Sequence, residues 1–121
     1  MALLSRDQIL GANDLKTEQV PVPEWGGDVL VGTMTGTARD AYEQSIIEVD
    51  SQGKAKQNLQ NIRAKLLAAV LVDENGNRLF SEKDINALGK KSSAALDRVF
   101  TVAQRINSVS DEDIEDLAKN S

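Results

Sequence analysis

Seven apolar residues run unbroken through Leu66-Leu67-Ala68-Ala69-Val70-Leu71-Val72 and end on Asp73-Glu74-Asn75-Gly76-Asn77. A run of this kind must be taken out of water and the segment after it must turn, so the rest of the chain is arranged around it. Upstream, Ile62, Ala64, Leu66, Ala68, Val70 and Val72 alternate with Arg63, Lys65, Leu67, Ala69 and Leu71. That period of two predicts a strand over residues 62–72, although Leu59, Ile62, Leu66 and Val70 also fit a helix. Asn75-Gly76 predicts a two-residue type I′ hairpin turn, which needs positive φ at both central positions.

The cover for this run has to be aliphatic, because the aromatic residues are Trp25, Tyr42, Phe80 and Phe100 alone. A chain of 121 residues predicts one domain. We divide it into a single α+β domain over residues 1–109 and an acidic C-terminal helix or tail over residues 110–121. Cysteine is absent, which removes disulfides and thiolate metal sites. Histidine is absent too, and with it the usual general base and the commonest metal ligand. No cofactor is implied. The net charge of −5 argues against a non-specific nucleic-acid binder. It is unevenly spread: −6 over residues 1–53, +2 over 54–77, +3 over 78–109 and −4 from Ser110 onward. A basic middle between acidic ends fits polar contacts with a partner or another copy, or ordinary solvated faces. Nothing approaches the roughly 18–20 apolar residues of a membrane span, and Met1-Ala2-Leu3-Leu4-Ser5 is no signal peptide, so a soluble cytoplasmic protein without membrane contact is expected.

Along the chain, Ser5 and Gln8 predict a capping box for a short helical turn. Leu15 to Val22, ending in Val20-Pro21-Val22-Pro23, reads as an edge strand or an extended arm, and Glu24-Trp25-Gly26-Gly27 as a turn. Asp28-Val29-Leu30-Val31 returns from that turn as a second strand. Thr37 is the predicted cap of a helix carrying Ala38, Ala41 and Tyr42 inward, with Ile46 and Val49 continuing that face if the helix runs so far. Residues 50–61 hold one large apolar side chain, Leu59, and are expected to form a mobile loop or a frayed helix. Ser81 and Asp84 predict a second box, ahead of a short helix that Gly89 stops. Ala95, Leu96, Val99, Phe100, Ala103 and Ile106 predict a clear amphipathic helix over residues 92–106. The sum is α+β: two β-hairpins with three to four short helices packed on one face.

Few stretches could carry chemistry. Asp73, Asn75 and Asn77 imitate the first ligands of an EF-hand, but glycine falls at the fourth position and Asp84 stands where a bidentate glutamate belongs. Asp111, Glu112, Asp113, Glu115 and Asp116 lie on a segment with only Ile114 and Leu117 as apolar cover, too exposed to shift a pKa for catalysis. Trp25, at a Pro/Gly-rich tip, is either a lid on the core or an exposed contact anchor. Trp25, Ile114 and Leu117 are the candidate partner-binding residues. There is no catalytic, cofactor or metal candidate.

The segment Val20-Pro21-Val22-Pro23-Glu24-Trp25-Gly26-Gly27-Asp28-Val29, with Asp14-Leu15 and Glu18 ahead of it, resembles the opening of tail assembly chaperones of lambda-like long-tailed phages. Val72-Asp73-Glu74-Asn75-Gly76-Asn77-Arg78-Leu79-Phe80-Ser81, followed by Ile85, Leu88 and the helix to Ile106, is similar to a later region of the same family. The resemblance implies no catalysis. It implies binding to the tape measure protein, homo-oligomerisation, and residence in the host cytoplasm but not in the mature virion. It also implies a longer form made by programmed frameshift, through which the tail tube protein would be reached; Ala118-Lys119-Asn120 can be encoded by a slippery heptamer. The rival expectation is a structural virion subunit such as a tail-terminator or connector protein.

Overall fold

The computed structural model describes residues 2–110 and residue 112. The architecture is α+β, with five α-helices and two small antiparallel sheets among those residues. Helix α1 (Arg6–Gly11) opens on the Ser5–Gln8 capping box, and strands β1 (Thr17–Val22) and β2 (Gly27–Gly32) form the first hairpin. The 3-10 turn Pro23–Trp25 makes its tip, closed by Gly26 at φ 77°. Register pairs Thr17 with Gly32 and Val22 with Gly27. Lys16 exchanges hydrogen bonds with Thr33, so the alternation turns the backbone of Pro21 outward, where its missing N–H costs no ladder bond and blunts the edge.

Helix α2 (Gly36–Ile46) is capped by Thr35, two residues before the Thr37 expected from sequence, and buries Tyr42 and Ile46 while Ala41 stays exposed. It does not continue to Val49. Strands β3 (Ile47–Val49) and β4 (Ala55–Gln57) pair instead, so the stretch expected as a loop or frayed helix holds a hairpin turn and a strand through Gln57. The physical reason is local. The Asp50 carboxylate accepts from the N–H groups of Gln52 and Lys54, each at 2.9 Å, and Gly53 takes φ 78°. Side-chain capping of the turn replaces the apolar burial that the stretch lacks.

The apolar run is not a strand. Residues Ile62–Val70 form helix α3, followed by the two-residue strand β5 (Leu71–Val72) at the edge of the sheet, in the order β1-β2-β5. Ala64, Leu66, Leu67, Ala68 and Val70 are all buried, so both alternating sets are covered. A helix apolar almost all round belongs at the centre, and its Ala and Leu content favours that conformation. The two charges that made the pattern look like a strand have partners. Arg63 pairs with Asp97, and Lys65 reaches the Ser45 carbonyl at 2.9 Å.

The turn after β5 is a hairpin but not a type I′ one. Only Gly76 has positive φ there, at 83°; its N–H donates to Asp73 O at 3.0 Å, and the Asp73 carboxylate accepts from the N–H groups of Asn75 (2.8 Å) and Asn77 (3.0 Å). It repeats the Asp50–Gly53 turn in a second sequence. Gly76→Val is expected to cost more than about 1 kcal/mol, because a β-branched residue resists this φ. No atom lies within 4 Å of an added Cβ, so the cost would be backbone strain alone. An unchanged urea midpoint would show that the turn relaxes at no cost.

Helix α4 (Ile85–Leu88) follows the Ser81–Asp84 box and buries Leu88. Gly89 ends it with φ −64°, not in the left-handed region; an added Cβ would sit 2.5 Å from the Asn61 side-chain oxygen, which would have to swing aside. Helix α5 (Ser93–Asn107), capped by Ser92, buries Ala95, Leu96, Val99 and Ala103 against α3, β1 and β2. Its far end is fixed by side chains. Asn107 accepts from the Met34 N–H (2.7 Å) and donates to Gly32 O (3.2 Å) and Ala103 O (3.0 Å), while Arg39 of α2 donates to Asn107 O (2.7 Å) and Ser108 O (3.3 Å). Val109 is buried beyond the helix. The acidic segment carrying Ile114 and Leu117 lies outside the described residues.

Candidate docking groove

The hairpin tip projects Trp25 toward the segment that contains Phe80, the second capping box and α4. Between them lies an open groove of about 470 Å³, walled by Trp25, Phe80 and Leu88, with Glu24, Asp84 and Lys91 along its rim. Three local features position these groups. The Pro23–Trp25 turn fixes the tip, with Gly26 at φ 77° allowing the sharp return. The Ser81 N–H donates to Asp84 at 2.8 Å, which orients the start of α4. Arg98 of α5 pairs with Glu24, and together with the residue's own backbone N–H it holds the Glu24 carboxyl below the usual carboxylate range. The pair is therefore ionised at neutral pH and ties the tip to α5. Exposed pairs such as this one, and Arg105 with Glu18, contribute little stability and mainly set register.

Trp25 is half-buried: one side packs on the core and the other lines the groove, so the two sequence readings of it meet in one residue. Ile114 and Leu117 lie outside the described residues. Phe80 and Leu88 belong to the later family-like region of the sequence; that they line one groove with Trp25 depends on the fold. Among the described residues no polar or charged residue is fully buried, no group of acidic residues is placed to hold a metal ion, and no helix is long and apolar enough to cross a membrane. The Asp73 oxygen that resembled a calcium ligand is occupied by its own turn. The groove therefore offers shape, apolar surface and a mixed-charge rim.

A family model described as phage tail assembly chaperone matches residues 7–120. The chain belongs to that family. The family model spans both quoted sequence segments and both walls of the groove. Among solved structures, the bacteriophage HK97 tail assembly chaperone is similar to this chain, with a TM-score of 0.57 and 20% identity, covering 87% of this chain and 95% of that one. At that identity the likeness concerns the fold, which the two tail assembly chaperones share. No curated protein matches.

Proposed function

We propose that the chain works as a tail assembly chaperone without catalysis, holding the tape measure protein and associating with itself while the tail tube is built. The observation that carries this reading is the open apolar groove beside Trp25 on a chain of this family. A long helical client presents apolar side chains every three or four residues, and a groove with an aromatic wall is suited to take them reversibly. In this reading the protein acts in the host cytoplasm and leaves before the virion is complete. A frameshifted longer form would carry the same groove and bring the tail tube protein to the complex.

Trp25→Ala tests the reading. Capture of a tape measure segment should weaken by about tenfold or more, the loss of an aromatic anchor. Stability should fall by only about 1–2 kcal/mol, short of a full core truncation, because Trp25 is half-buried. Calorimetry of binding and a urea melt measure the two separately. Undiminished capture by the destabilised variant would remove the groove from the account.

A further inference from the structure

The N-terminal arm is the most apolar uncovered segment of the described chain. Leu3, Leu4, Ile9 and Leu10 are 98%, 68%, 58% and 68% exposed, and no residue of α1 is buried. A six-residue helix is well below the roughly 12–15 residues at which helices hold alone in water. This one nevertheless carries a complete capping box, so its sequence specifies a helix whose apolar side chains find no cover among the described residues. The groove beside Trp25 matches it in chemistry. Its walls are aromatic and aliphatic, and its rim carries the Asp84 carboxylate and the Lys91 ammonium, opposite in charge to Arg6 and Asp7 of the arm, which otherwise pair with each other at 2.9 Å.

Reach argues against an arm filling its own groove. Lys16 is held to Thr33 by two hydrogen bonds of 2.9 Å, from the Thr33 N–H to Lys16 O and from the Lys16 N–H to Thr33 Oγ1. From there the six-residue strand β1 runs about 20 Å to the tip. The connector from Gly11 to Lys16 spans at most about 17 Å fully extended. Seating α1 within one chain would pull that connector straight along the strand with no slack. A second copy has no such limit.

We propose that the α1 arm of one copy docks in the Trp25 groove of a second copy, so that self-association and client capture compete for the same surface. This rests on the reading of the chain as a self-associating chaperone and assigns the segment and groove that do it. Arm and groove are different surfaces, so each copy can donate at one and accept at the other.

Trp25 is the only tryptophan, and its fluorescence reports the groove directly. The double variant Ile9→Asp, Leu10→Asp alters exposed positions only, and Ala87→Arg, also at an exposed position, obstructs the groove without cutting the core. For the wild type, Trp25 emission should move to the blue as concentration rises, in step with mass from sedimentation. Either variant alone should associate at least about 30-fold more weakly, as loss of a hot spot does. Mixed, they should form a 1:1 pair with Kd within about threefold of the wild-type contact and grow no further. A peptide of residues 2–15 added to the Ile9→Asp, Leu10→Asp chain should give the same blue shift, and a tape measure segment should displace the arm and convert wild-type assemblies into client-bound monomer by sedimentation mass, with Trp25 emission staying blue in the occupied groove. Wild-type association that the arm variant shares, with Trp25 emission unmoved, overturns the arm and leaves self-association standing. Emission that is blue at every concentration and red only in the arm variant places the arm in its own groove and overturns the second copy. A wild type that stays monomeric throughout, with red emission, overturns both.

Discussion

Leu67→Ala is expected to destabilise the protein by about 3 kcal/mol, and Leu66→Ala by a similar amount. Both side chains are fully buried, from adjacent positions of α3, the helix that contacts α2, α4, α5 and β2. The pairing of the two results matters more than either alone. In a strand with one covered face, neighbouring residues point to opposite sides, and one substitution would be costly while the other would be mild. In a central helix both leave cavities. Urea unfolding of the two variants decides, with Leu59→Ala, at an exposed position, expected to change almost nothing. A cost below about 1 kcal/mol for either leucine would mean that α3 is not the centre of the core.

Asn107→Leu is expected to cost about 2 kcal/mol, although it conserves volume. The amide satisfies three backbone groups at once: the Met34 N–H, Gly32 O and Ala103 O. Leucine would leave the first two without their partner in a part-buried junction, the costly way to lose a hydrogen bond. The contacts join the end of α5 to the end of β2, so amide exchange at Met34 should rise along with the loss of stability. Arg39 would still cap the Asn107 and Ser108 carbonyls, which keeps α5 itself formed. A variant as stable as wild type, with Met34 still protected, would show that water replaces the amide without loss.

Where local chemistry decided the structure, the sequence was readable. The Ser5–Gln8 and Ser81–Asp84 boxes, the β1–β2 hairpin with Trp25 at its tip, and α5 with its apolar stripe all stand where side-chain spacing places them. Residues 62–72 misled because a helix buried on nearly every side has no periodicity to display, and Arg63 and Lys65 supplied a false one by reaching outward to Asp97 and Ser45. The β3–β4 hairpin was missed because its strands bury little. Its signal was present as Asp50-Ser51-Gln52-Gly53-Lys54, the same Asp-to-Gly spacing as Asp73-Glu74-Asn75-Gly76-Asn77. In both, an aspartate caps the turn and only the glycine takes positive φ. Reading Asn75-Gly76 as a pair drew attention away from Asp73. Trp25 stood out as the one tryptophan, but its groove mates Phe80 and Leu88 lie more than fifty residues away and meet it only through the packing of α4 and α5.

The most direct measurement for the central claim is the soluble fraction of the tape measure protein when it is produced with and without this chain. The tape measure protein should stay in solution in complex with the wild type, precipitate in its absence, and precipitate to a large extent with Trp25→Ala. A tape measure protein equally soluble in all three cases, with none of this chain bound to it, would contradict the account.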